Sequence, residues 1–267
     1  MAFVFTRLIW LVLALCCVPL QAAPAAWKDD LQPLPKDAWN RERAAHLLER
    51  AGFGATPAEV DRLSAMTATQ AVRYLVRYQS IKQSLPAFDP SDSFDPGLDP
   101  FAVSRPAATD MARDKGEALG VKVKPAGNRR MQQVADRFLY WLRASKLETQ
   151  RVAYWWANRM LLTQRPLEEK MTLFWHGHFA TSEEKVRDFR KMHVQNELFR
   201  AQATGNFRSL LIAVAKDPAM LAYLDAGVNV KGAPNENFAR EIMELFTMGV
   251  GNYTELDIRE AARAFTG

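Results

Sequence analysis

Apolar residues recur at helical spacing through most of this chain. Between Asn40 and Arg50, and on to Ala51, the residues Ala44, Leu47, Leu48 and Ala51 share one face, and Gly52 predicts a left-handed stop. Thr56, Pro57 and Glu59 spell a capping box that opens a second helix. A third is expected from about Thr67 to Gln79, with Ala71, Tyr74, Leu75 and Tyr78 facing inward. From Arg129 the period returns with Val134, Phe138, Trp141 and Leu142, followed by a helix over Glu148 to Leu162 and another over Pro166 to Trp175. Val186 to Ala203 reads as one helix, Asn206 caps the next, and Asp217-Pro218 opens a short one through Leu224. After a loop from Gly227 to Pro234, Asn235 caps Glu236 to Met248, which Gly249 ends, and Thr254 caps a last helix to Phe265. No run alternates with period two and no hairpin signal occurs. The pattern predicts a mainly α, multi-helix, orthogonal or bundle-like single domain.

Two stretches depart from this rhythm. Residues 80 to 128 carry Asp89-Pro90, Asp95-Pro96 and Asp99-Pro100, which argue for a long Pro/Asp-rich loop, a solvated insertion with one short helix near Ala107 to Leu119. The Asp spacing does not match a calcium loop. At the start, one basic residue in Met1 to Arg7 precedes the apolar run Leu8 to Val18, and small residues follow Pro19. That order reads as a signal peptide over 1–25, cleaved after Ala22 or Ala25, with the helical domain occupying 26–267. A lipoprotein reading at Cys16 or Cys17 is less supported, because no clear small residue precedes either. Export to the periplasm or the extracellular space is expected. At the other end, the last helix carries Ile258, Ala262 and Phe265 with no polar tail behind it, which predicts a partner surface and a longer parent protein.

Composition narrows the chemistry. The chain has 267 residues, 48% apolar and 24% charged, which excludes collagen-like and wholly disordered classes. A net charge of +5 without any clustered basic run is no nucleic-acid footprint. Both cysteines fall inside the leader, so the mature chain should have no disulfide and no cysteine-ligated zinc. No later stretch is long and apolar enough to span a membrane.

Four histidines are present, and two form His176-Gly177-His178. On an extended backbone such a pair faces one way and can share a metal; on a helix it diverges by about 200°. Gly177 leaves both conformations open. Glu169 is two turns before His176, about 10.5 Å of rise, too far to share an ion with it. Glu241 and Glu244, in a stripe with Asn237, are the better carboxylates, and His176, His178, Glu241 and Glu244 form a candidate site for a divalent metal such as zinc, iron or manganese. Without metal, His178 and Glu241 are the candidate catalytic acid–base pair. Structural roles compete with both: His176 suits a helix C-terminus, Glu236, Arg240 and Glu244 are spaced for ion pairs, and so are Glu255 and Arg259. Trp155-Trp156 reads as core in preference to a sugar-stacking platform. No nucleophile elbow, P-loop or dinucleotide fingerprint occurs.

Four ordered segments carry a resemblance. They are Ala45-His46-Leu47-Leu48-Glu49-Arg50-Ala51-Gly52-Phe53-Gly54; Pro166-Leu167-Glu168-Glu169 running into Phe174-Trp175-His176-Gly177-His178-Phe179; Gly205-Asn206-Phe207 with Asp217-Pro218; and Asn235-Glu236-Asn237-Phe238-Ala239-Arg240-Glu241 through Glu244-Leu245-Phe246-Thr247-Met248-Gly249 to Phe265-Thr266-Gly267. In these the chain resembles the bacterial family named domain of unknown function 1800. The resemblance implies a large, mostly helical, exported protein with no established activity, continuing past the final Phe-Thr-Gly. It also implies a co-encoded exported, sulfatase-like partner, and so a two-protein system acting on an extracellular polymer or envelope component. An enzyme with a His/Glu site and a non-catalytic helical binding or assembly protein are the two functions this leaves. The family offers no catalytic residues to carry over.

Overall fold

The computed structural model describes residues 32–91 and 132–266, with side chains of 132–139 excepted. Met1–Trp39 is one unit, described only by a 3-10 turn over Lys36–Ala38, and Asn40–Gly267 is a second, compact unit. The expected leader, the helix near Ala107 to Leu119 and the inward positions Val134 and Phe138 lie outside the described residues. Among the described residues the fold is helical throughout, and its only β feature is an isolated bridge between Val230 and Ala233.

Three short helices open the compact unit: α1 (Arg41–Ala51), α2 (Pro57–Ser64) and α3 (Ala68–Val76). Their starts are chemical. Asn40 accepts from the Arg43 amide, and Thr56 and Thr67 form capping boxes with Glu59 and Gln70. They bury Ala44, Leu48, Val60, Leu63, Ala71 and Leu75 against one another. Gly52 does end α1, but not in the expected left-handed conformation: its φ is −154°. A side chain there would meet Pro166 Cβ at 2.8 Å and the Leu48 carbonyl at 2.9 Å, so close approach is what requires glycine. The third helix is shorter than expected and hands over to a 3-10 turn at Tyr78–Ser80.

The helix expected at Glu148 begins much earlier. Helix α4 runs unbroken over Gln132–Leu162, because no glycine or proline interrupts it. The rest of the expected loop, 92–128, lies outside the described residues, and residues 81–91, with Asp89-Pro90, are irregular yet not simply solvated. They lie along α4: Trp155 Nε1 donates to the Pro86 carbonyl at 2.9 Å, Arg151 to the Asp89 carbonyl at 2.9 Å, and the Ser91 amide to the fully buried Glu148 at 3.1 Å. Phe88 packs edge-on against Trp155 and Phe189. Trp155 thus belongs to a core cluster with Trp141, Val152 and Phe189.

Helix α5 (Pro166–Phe179) starts on a proline and ends where Ala180 turns left-handed at φ 45°. The single helix expected over Val186 to Ala203 is two. The short α6 (Glu183–Val186) stops at Arg187 with φ 54°, and Asp188 then caps α7 (Phe189–Ala201) through the Arg190 amide at 3.0 Å. Next come α8 (Phe207–Val214), capped by Asn206, and α9 (Pro218–Tyr223), capped by Asp217. Helix α10 (Asn237–Met243) widens into a π-helical segment, Glu244–Met248, before α11 (Glu255–Ala264). The expected Asn235 cap is present, accepting from the Asn237 amide at 3.0 Å. The largest core cluster joins Phe179, Phe199, Leu210, Met220, Phe238 and Phe246 from five helices and the π segment. Each such buried phenylalanine contributes roughly 1.5–3 kcal/mol.

Candidate functional site

Helix α5 continues past Trp175 to Phe179, and this decides the geometry of the histidine pair. A helical backbone sends His176 and His178 to different sides. His176 lies on the stripe with Glu169, Thr172 and Phe179, all fully buried. Its ring meets Trp156 edge-on at 5.4 Å and Phe199 at 6.4 Å, and burial pushes its pKa down. His178 lies on the stripe with Met171 and Phe174. It stacks on Phe174 at 6.2 Å, and its Nε2 is 3.3 Å from the Phe246 carbonyl oxygen. A carbonyl only accepts, so that bond assigns the proton to Nε2 and leaves Nδ1 as the other ring nitrogen.

The two glutamates also have different surroundings. Glu244 accepts from the Tyr253 hydroxyl, and that bond raises the tyrosine pKa to about 12. Glu241 faces a cavity of about 270 Å³, where Phe179, Tyr223 and Phe246 supply aromatic walls and Asn237 and Lys185 supply polar groups. Asn237 donates to the Leu224 carbonyl at 3.2 Å, and Lys185 is paired with Asp225 at 2.7 Å. The Glu241 carboxylate, half-buried, has no hydrogen-bond or ion-pair partner among the described residues.

The candidate metal set is therefore not brought together. Phe246 touches both halves, since it lines the Glu241 cavity and bonds His178, but His178 is not among the residues lining that cavity. Among the described residues no group of three or more His, Cys, Asp or Glu side chains is placed to hold a metal ion. The expected local ion pairs are also redistributed. Arg240 bonds Glu236 at 3.1 Å and Glu255 at 2.8 Å, while Arg259 turns from Glu255 to Glu236 at 3.5 Å.

The polar centre that the sequence did not reveal is Glu169. Its fully buried carboxylate accepts from Arg159 Nε at 2.9 Å, Arg200 Nε at 2.8 Å, Arg200 Nη2 at 3.1 Å and Trp156 Nε1 at 3.0 Å. Arg200, itself buried, also donates to Asn196 at 2.6 Å and Glu197 at 2.7 Å. The network ties α4, α5 and α7 together. Its one sequence signal was placement: Glu169 shares the inward face of α5 with Thr172 and Phe179, and Arg200 follows Phe199 on α7. With every lone-pair direction of its carboxylate occupied, this centre holds helices together.

No curated protein and no solved structure matches the chain. Residues 46–267, nearly all of the compact unit, match the family model described as Protein of unknown function (DUF1800). The match runs through every segment that builds the α5 histidine stripes and the Glu241 cavity, and the family's description assigns no activity to any of them. The chain belongs to this DUF1800 family.

Proposed function

We propose that this chain is an exported helical protein that binds an amine-bearing unit of an extracellular or envelope polymer in the Glu241 cavity. The observation that carries the reading is the unpartnered Glu241 carboxylate in that aromatic-walled hollow. With no donor among the described residues, the acceptor sites of this carboxylate are left for a ligand that supplies one. Lys185 is already neutralised by Asp225, so the hollow carries one net negative charge and favours a cationic donor over a neutral one. The part-exposed Tyr223 and the exposed Leu245 offer apolar surface to a ring, over a floor of Phe179 and Phe246. The volume suits one ring-sized unit and is too small for several.

An acid–base enzyme would need His178 and Glu241 to address one ligand. His178 uses Nε2 on Phe246 and does not line this cavity, which favours binding. The leader pattern over 1–25 supports action outside the cytoplasm, and the same reading includes the co-encoded exported, sulfatase-like partner. The test uses glucosamine oligomers and their N-acetylated counterparts, titrated into the protein and followed by amide chemical shifts. Saturable binding of the amine form is expected, weakened about tenfold or more by Glu241→Gln. If neither oligomer produces a saturable shift, or if Glu241→Gln binds unchanged, the reading fails.

A further inference from the structure

A second hollow, of about 530 Å³, opens on the opposite stripe of α5. Its lining includes Arg50 from the end of α1, and Lys170, Met171, Phe174, Gly177 and His178 from α5. Two of these groups are permanent cations, and no carboxylate is among the lining residues. Neither Arg50 nor Lys170 has an ion-pair partner among the described residues; Lys170 instead stands over the Phe53 ring at 5.0 Å. The acidic neighbours of Lys170 in sequence are committed elsewhere, Glu169 to Arg159 and Arg200, and Glu168 to Arg165, and Glu49, beside Arg50, does not line the cleft. The cleft is thus an uncompensated positive site with an apolar floor of Met171 and Phe174.

Gly177 is the second observation, independent of charge. It lies inside α5, where glycine weakens a helix relative to alanine. Its φ is not positive, and an added Cβ would meet nothing within 4 Å, so neither backbone conformation nor packing requires it. What glycine does there is leave the helix surface bare at the cleft between Phe174 and His178. Any larger side chain would project into the hollow.

From this we infer that the cleft binds a phosphate or sulfate monoester whose oxyanion meets Arg50 and Lys170 and whose apolar body rests on Phe174 and Met171. The arginine fork and the lysine point charge match such an oxyanion, and the open helix surface at Gly177 admits the body. The inference is separate from the Glu241 cavity and stands or falls without it.

Phenyl phosphate, phenyl sulfate, inorganic phosphate and benzyl alcohol are titrated into the full chain by calorimetry. Phosphatidate-containing phosphatidylcholine vesicles are tested by co-sedimentation. Saturable binding of a phenyl monoester is expected, with inorganic phosphate and benzyl alcohol each about tenfold weaker or worse. Gly177→Leu should abolish binding while the melting temperature holds or rises. Arg50→Ala with Lys170→Ala should weaken it about tenfold or more with an unchanged helical spectrum. Vesicle binding lost in Gly177→Leu assigns the monoester to a lipid headgroup, and phenyl monoester binding without it assigns a soluble ligand; both support the site. Absence of saturable binding of either phenyl monoester and of the vesicles up to about 10 mM overturns it, as does full affinity in Gly177→Leu.

Discussion

Glu169 shows how a charged residue can be structural at the centre of a fold. Four donors from Arg159, Arg200 and Trp156 surround one fully buried carboxylate. Among the described residues, removing its charge leaves the Arg159 guanidinium without a counter-ion and Arg200 with only Glu197. Glu169→Gln is therefore expected to destabilise the protein by about 3–5 kcal/mol, read from urea denaturation midpoints at constant m. Glu241→Gln, at a carboxylate with no partner to lose, should change stability by less than about 0.5 kcal/mol. Two carboxylates of similar sequence context thus separate cleanly, one by its loss of stability and the other by its loss of ligand. Nothing in the residue identities distinguishes them. Rise per turn separates Glu169 from His176 but says nothing of the arginines arriving from α4 and α7.

At the level of the helix, start signals were the most legible feature. Thr56, Asn206, Asp217 and Thr254 each cap the helix expected of them, because a cap acts on amides two or three residues away, and Asn40 and Thr67 cap the helices that begin beside them. Helix ends were less legible. Arg187 and Ala180 adopt positive φ without being glycine, so the break before Phe189 and the end of α5 carry no local mark. The extension of α5 beyond Trp175 has the largest consequence, since it alone sends His176 and His178 apart. Gly177 sits within that extension without steric need. Gly177→Ala is expected to stabilise the protein by about 0.8–1 kcal/mol, seen as a higher melting temperature. A loss of stability would show that the helix is not continuous through Gly177.

Across the whole compact unit, burial of imidazole couples stability to pH. Burial pushes the pKa of His176 down, and it does the same for His193, which packs between Phe88 and Trp155. The unfolded chain then binds protons at a higher pH than the folded one does. Stability is complete above the ordinary histidine value of about 6.5 and declines as pH falls from there toward the lowered folded values. Burial raises the Glu168, Glu183 and Asp217 carboxyls, which act in the opposite sense, so the histidine contribution is read by difference: between about pH 7 and pH 5, denaturation midpoints should lose less with acid in His176→Phe than in the parent chain. An equal slope in the variant would remove His176 from this account. Below that window the Thr56 amide and hydroxyl, which hold the Glu59 carboxyl below its usual range, lose their acceptor as it protonates.

Helix period, caps and segment motifs were enough to establish a mainly α fold, its capped starts and its family, because they are properties of neighbours within a few positions. The site was a different matter. That His178 turns to the Phe246 carbonyl, and that Glu241 is left without a partner among the described residues in a hollow walled by Phe179 and Tyr223, are relations between residues far apart in the chain. Such relations follow from where helices stop and how their faces pack. On an α5 ending at Trp175, His176 and His178 would lie beyond the helix, outside the divergence that its backbone imposes on them.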